Sequence, residues 1–296
     1  MSSNIILAGC GGGYDVFCTI PLFYKNIKKN KIIVSLSFTD EKYLLNLTKK
    51  NEVTKLHNNL FLIDAKKIKN VTNNYFPEYY LSKHLNHVVY IILKETTINE
   101  IIKAYNIIIH NSKRINELYL VDGGCDLLLS GNESDLATPV EDMMHLSAVR
   151  YLPITNKYAC AIGMPCDCID LKKSELINRL DDLSNILVYQ KIWSLKDENV
   201  NKYYQIVNKS RIDKTVVNSL ICSALEGKTG YYLPEQLKYR LSKNNVEIDE
   251  LMVTFVQFDL IKLSHTISYL DLLNRDDNTD KIDSYIMNFH KLVKIN

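Results

Sequence analysis

Apolar positions in the first 170 residues fall in short, nearly unbroken runs. Ile5 to Gly9, Ile32 to Phe38, Leu60 to Ile63, Val88 to Leu93, Leu118 to Val121 and Tyr158 to Ile162 each read as a strand. Amphipathic stretches stand between several of them, notably Thr39 to Lys50 and Ile98 to His110. Strands without polar alternation are buried on both faces, so the pattern predicts a mostly parallel sheet covered by helices on both sides. After about residue 171 helical periodicity dominates, over Ser174 to Ile186, Val200 to Asn208, Thr215 to Leu225 and Ile282 to Val293. One further strand, Met252 to Phe258, returns to the sheet or its edge. No Pro/Gly/Ser-rich linker and no internal repeat divides the chain. The expectation is a single α/β domain over 1–296, with a more helical portion over 171–296.

Composition narrows the function classes. Charged residues make up 24% of the 296 residues, and 36 basic against 34 acidic residues leave a net charge of +2. A protein that binds nucleic acid by neutralising phosphates needs a basic excess, so a nucleic-acid partner is not expected. The 30 Lys against 6 Arg, together with 29 Asn, read as an AT-rich coding bias rather than as chemistry. No apolar run approaches the roughly 20 residues of a membrane span. The N-terminus lacks the basic, apolar and cleavage regions of a secretory signal, which makes the cytoplasm the expected location. Seven cysteines at irregular spacing read as free thiols. Cys166 and Cys168 form a Cys-x-Cys pair, with no second pair to complete a zinc set.

Two loops carry the candidate chemistry. Gly9-Cys10-Gly11-Gly12-Gly13-Tyr14-Asp15 follows the first strand. In an open parallel sheet, ligands bind beyond the C-terminal ends of strands, where this loop stands. It fits neither dinucleotide nor Walker patterns: Tyr14 occupies the third glycine position, and no Gly-Lys-Ser/Thr follows. Asp15 reads either as a helix cap or as a carboxylate that binds hydroxyls, an amine or a metal. Pro21 implies that the following helix is kinked or starts late. Gly11, Gly12, Gly13, Tyr14 and Asp15 are the ligand-binding candidates here, with the glycines expected to let a ligand approach the backbone.

The second loop runs from Asp122-Gly123-Gly124-Cys125-Asp126 through Gly131 and Glu133 to Thr138-Pro139-Val140-Glu141-Asp142. Its end reads as a capping box, with Thr138 at the cap and Glu141 three positions on, while Asp142 favours the helix dipole. Asp122, Asp126 and Glu133 have no such local explanation, and crowded carboxylates raise one another's pKa or recruit a cation. They are the catalytic candidates, with Asp122 and Asp126 as ligands if a divalent cation binds. Gly123, Gly124, Gly131, Thr138, Glu141 and Asp142 complete the expected ligand-binding set. Cys10 and Cys125 lie beside acids, a poor setting for a nucleophilic thiolate. His145 is assigned a surface or capping role. Glu226-Gly227-Lys228-Thr229 imitates the end of a P-loop but follows a helix, so Gly227 reads as its C-terminal cap.

The segments GCGGGYDVF, DGGCDLLLSGNESDLATPVEDM and AIGMPCD together resemble the family called domain of unknown function 1152, found mainly in archaea and bacteria. The resemblance spans roughly residues 1–260 and is strongest over 122–142. It departs at Met164-Pro165-Cys166-Asp167, where the family tends towards a Gly-rich acidic loop. It implies a Rossmann-like fold and no established reaction. Function therefore rests on the residues. The preferred class is an enzyme acting on a small polar metabolite, with carboxylates as acid/base or metal groups. A non-catalytic sensor of a small molecule or nucleotide is one alternative. A nucleotide-dependent enzyme with loop 9–15 under the phosphates is the other. The cofactor and the oligomeric state are left open.

Overall fold

The computed structural model describes residues 4–295 except 27, 74, 113, 136–137, 170, 211–214 and 232–245. The strands are β1 (Asn4–Gly9), β2 (Asn30–Ser37), β3 (Val53–Lys55), β4 (Leu60–Ile63), β5 (Val89–Leu93), β6 (Ile115–Asp122), β7 (Asn156–Ala161), β8 (Leu187–Ile192), β9 (Gly230–Tyr231), β10 (Glu247–Ile248) and β11 (Thr254–Asp259). The helices are α1 (Ile20–Lys25), α2 (Glu41–Lys49), α3 (Pro77–Leu85), α4 (Ile98–His110), α5 (Val140–Val149), α6 (Lys173–Asp182), α7 (Glu198–Lys209), α8 (Val216–Leu225), α9 (Leu260–Ser264) and α10 (Thr279–Ile295).

Among the described residues, nine strands form one sheet in the order β3-β4-β5-β2-β1-β6-β7-β11-β8. β5, β2, β1, β6 and β7 are parallel neighbours. β4 and β11 run antiparallel to the strands they flank. The fold is therefore α/β with a mixed, mostly parallel, Rossmann-like sheet, as the apolar runs predict. The chain leaves β1 towards β2 and β5, then crosses back to place β6 on the other side of β1. That reversal opens a crevice between β1 and β6 at their C-terminal ends, where ligands of open α/β sheets bind.

Successive residues of β1 feed opposite cores. Ile6 and Ala8 pack with Ile101, Tyr105 and Ile108 of α4 and with Met143 and Leu146 of α5. Ile5 and Leu7 pack with Phe17, with Leu81 and Leu85 of α3, and with Tyr203 and Leu220 of α7 and α8. Alternation of side-chain direction along a strand explains why β1 is apolar from Ile5 to Ala8 on both faces. α4 forms because Thr97 accepts the Glu100 N–H at 3.2 Å and because Ile98, Ile101, Ala104, Tyr105 and Ile108 repeat at helical spacing.

Beyond the pattern-based expectation, β3, β8, β9, β10, α3 and α9 are additional; β8 is an edge strand with Leu187, Val188 and Ile192 exposed. After β1 the chain forms a 3-10 stretch, Gly13–Thr19, before α1 begins with Pro21 in its first positions. The late start, rather than a kink, accommodates the missing proline N–H. Gly227 does close α8: its φ is +86°, and the Lys228 N–H donates back to the Ser223 carbonyl at 3.1 Å.

Gly9 fixes the approach of the 3-10 stretch to β1. A Cβ there would lie 2.6 Å from the Val16 Cα and backbone N. Backbone cannot swing aside as a side chain can, so Gly9→Ala should cost about 2–3 kcal/mol, in the range of core overpacking. Urea unfolding of the variant checks this; a change under about 0.5 kcal/mol would show that the two segments separate freely.

Candidate active site

The crevice between β1 and β6 gathers aspartates from four chain segments, and a backbone N–H holds each one. Asp15, from the 3-10 stretch after β1, accepts the Gly123 N–H from the loop after β6. Asp142, on α5, accepts the Gly11 N–H at 2.8 Å. Asp167, after β7, accepts the Cys125 N–H at 2.5 Å. Asp122 accepts the Leu127 N–H at 3.0 Å. Asp126 accepts the Thr138 N–H at 3.2 Å and the Thr138 hydroxyl at 3.3 Å through Oδ2. The loops after β1 and β6 therefore face each other across one crevice, as their positions at strand ends imply.

The glycines make this crowding possible. A Cβ on Gly11 would press on the carboxylates of Asp15 and Asp142, one on Gly123 would meet Asp15 Oδ1 at 2.8 Å, and one on Gly124 would run into Asp167. The space beside these glycines holds carboxylates. Gly12 differs again. Its φ is +93°, and a Cβ would lie 2.8 Å from the ring of Phe38. A Cβ on Gly13 would strike the Tyr75 hydroxyl, and one on Gly131 would lie 2.6 Å from the ring of Tyr269. Close ligand approach to Gly12, Gly13 and Gly131, expected from sequence, thus gives way to aromatic packing.

Burial sets the electrostatics. Asp122, Asp126 and Asp142 are buried, while Asp15 and Asp167 keep part of their surface open. Burial, then the Asp126 charge, pushes the Asp122 carboxyl up to about 8. Burial first, with neighbouring aspartates behind it, holds Asp15, Asp126 and Asp142 well above the ordinary carboxylate range. Groups so closely coupled titrate as a set. The backbone N–H bonds pull the other way and only partly offset this. Among the described residues, Asp126 Oδ1 is buried without a hydrogen-bond partner. Burial and Asp142 also push the Cys10 thiol up, and burial and Asp167 that of Cys125, which leaves both as poor nucleophiles.

Other sequence candidates take different positions. The capping box does not form: Pro139 precedes α5 without a side-chain cap, because the Thr138 hydroxyl is engaged by Asp126. Glu141 is half-buried and feels the Lys94 charge. Asp142 belongs to the carboxylate group rather than serving the helix dipole alone. Glu133 lies apart from it, accepting the Ser130 N–H and hydroxyl through one oxygen and the Gly131 N–H through the other. Tyr14 packs its ring against Phe17 and Tyr75. His145 is fully buried rather than at the surface, with Nε2 2.6 Å from the Tyr105 hydroxyl, and burial pushes it down to about 3. Asp167, which the sequence shows only where the chain departs from the family's acidic loop, joins the group, and Asn218 has no signal in the sequence. Buried Asn218 on α8 donates to the Tyr14 carbonyl at 3.2 Å and accepts the Tyr203 hydroxyl at 2.7 Å, fixing the 3-10 stretch that carries Asp15. Residues 136–137 of the acidic loop lie outside the described residues. Among the described residues, no group of three or more His, Cys, Asp or Glu is arranged to hold a metal ion.

Fold and crevice together define a Rossmann-like α/β protein with a carboxylate-lined switch point. The chain belongs to the family described as "Protein of unknown function (DUF1152)", which it matches over residues 6–289, beyond the span its motifs indicate. No curated protein and no solved structure matches it significantly. No helix among the described residues is long and apolar enough to cross a membrane.

The raised carboxyls give a signed pH effect. An aspartate with a folded pKa above its unfolded value near 4 binds a proton on folding between the two. Stability therefore falls as pH rises through that window, which for Asp122 ends at about 8. His145, held neutral, acts oppositely, but only below about 6.5. Melting temperature of the ligand-free protein should drop as pH rises from about 6.5, above which His145 no longer contributes, to about 8.5. Asp122→Asn should flatten the drop. A flat wild-type curve would show that these carboxyls ionise as they do in water.

Proposed function

We propose that the switch-point crevice is an enzyme active site for a small polar metabolite bearing hydroxyls or an amine. The observation that carries this is Asp126 Oδ1, a buried carboxylate oxygen without a hydrogen-bond partner among the described residues, set among aspartates with raised pKa. A buried acceptor left open costs on the order of 1–3 kcal/mol, which a bound hydroxyl or ammonium would offset. Asp122, partly protonated near neutral pH, is suited to pass a proton to or from the ligand, with Asp126 as its coupled partner. Asp15, Asp142 and Asp167 orient the ligand. Glu133 is assigned to holding its own loop. No step is routed through a metal, because the carboxylates present do not form a ready ligand set.

A phosphate under the first glycine loop is disfavoured by the same carboxylates, so the nucleotide-dependent alternative ranks lower. The sensor alternative uses the same crevice without turnover.

Mass spectrometry of small molecules retained through purification, followed by calorimetry and turnover assays with them, tests the proposal. Asp122→Asn should lower turnover by about 100-fold or more, as expected for removal of an acid/base group. Asp126→Asn should weaken binding about tenfold, while the melting temperature at pH 8 stays level or rises. Equal binding and turnover in both variants, or severe unfolding of both with ligand still bound by the folded fraction, would assign the carboxylates to structure. A ligand bound by wild type without conversion would assign the crevice to sensing.

A further inference from the structure

A second cavity lies away from the carboxylates, on the face covered by α1 and α7 beside the edge strand β8. It measures ≈ 370 Å³, within the size range of small-molecule sites. Its aromatic wall includes Trp193, the chain's single tryptophan, stacked on Phe255 at 14° with ring centres 5.8 Å apart. Tyr189 lines it too, with the Lys25 ammonium 4.3 Å from the ring centre. Lys25, Lys191 and Lys202 stand in the lining against one acid, Glu198. Lys191 is paired with Asp197 at 2.8 Å. Lys25 and Lys202 make no ion pair among the described residues. The first residues of α7, Glu198 to Val200, also enter the lining, and that 12-residue helix has no side-chain cap. The positive end of its dipole lies at the same place.

Rings for stacking and unmatched ammonium groups in one cavity specify a ligand that is flat at one end and anionic at the other. We propose that this cavity binds an aromatic anion, its ring against Trp193 and Tyr189 and its single phosphate or carboxylate between Lys25 and Lys202. The proposal stands independently of the carboxylate crevice, which has the opposite charge. The ring contributes through apolar and stacking contact, and the anion through charge-assisted bonds that weaken with salt.

Trp193 supplies the readout, since its emission reports this cavity alone. The full-length protein is titrated with AMP, benzoate, adenosine and inorganic phosphate. AMP or benzoate should change the emission saturably, the two probes distinguishing a phosphate from a carboxylate ligand. Adenosine and phosphate, each holding half of the AMP chemistry, should bind about tenfold more weakly or not at all. The double variant Lys25→Ala, Lys202→Ala removes exposed side chains, so its melting temperature should not change, while its affinity for the active probe falls about tenfold. No saturable response to either AMP or benzoate would overturn the proposal. So would binding of equal strength in the double variant, or binding weakened by Asp122→Asn instead of by loss of the lysines.

Discussion

Buried aspartates held by backbone N–H groups are the constraint on which the rest of this molecule depends. Each of the five aspartates at the crevice is tied to a main-chain donor, and three of these ties join different chain segments. Gly11 after β1 serves Asp142 on α5, Gly123 after β6 serves Asp15 after β1, and Cys125 after β6 serves Asp167 after β7. The carboxylates therefore act as cross-links between the loops at the top of three neighbouring strands. Without them, the loops after β1 and β6 would leave the N–H groups of Gly11, Gly123 and Cys125 without these acceptors, at on the order of 1–3 kcal/mol for each that is buried. With them, the loops are pinned but the crevice holds more carboxylates than its donors satisfy.

That surplus explains features that otherwise look unrelated. Glycine is required at 11, 123 and 124 because a carboxylate oxygen occupies the place of each missing Cβ. The N-terminus of α5 carries no cap of its own because Thr138 is directed to Asp126, while Asp142 one turn later brings charge that the helix dipole favours. Cys10 and Cys125 are fully buried with raised pKa, which suits small apolar packing groups and no nucleophile. His145 reaches the same layer from α5 but stays neutral beside Tyr105, so it brings no compensating positive charge.

How far the sequence discloses this depends on the range of the interaction concerned. The parallel core was legible because β1, β2, β5, β6 and β7 are buried on both faces and so read as unbroken apolar runs. β8 was not, because an exposed edge strand carries no such signal. Both glycine loops stood out by composition, yet the reason for their glycines did not, since it is a contact with residues up to 131 positions away. Asp142 had a sufficient local explanation at a helix start, and that explanation hid its second role. Glu133 had none in the sequence, but its partners turned out to be the N–H groups two and three residues before it. Asn218 acts only through tertiary contact and left no local trace, and Asp167 showed only within the departure from the family's acidic loop.

The sign of the field decides what each cavity can hold. Two unit charges about 5 Å apart interact by about 3 kcal/mol at an effective dielectric constant near 20. A phosphate brought to the crevice would meet several carboxylates at such distances, against at most about 1–2 kcal/mol from a favourable helix N-terminus. The repulsion acts only as far as the aspartates are ionised, and burial holds Asp15, Asp122, Asp126 and Asp142 protonated to a higher pH than usual. A ligand with an ammonium or several hydroxyls meets the opposite balance, because it supplies the donors that the aspartates lack. Burial strengthens the discrimination, since exposed charges would be screened within about 8–10 Å by salt while these are not. The cavity beside β8 has lysines and an uncapped helix start where the crevice has aspartates. Under the two proposals the sites would differ in the side chains they present to a ligand, aspartates at the switch point and lysines beside β8.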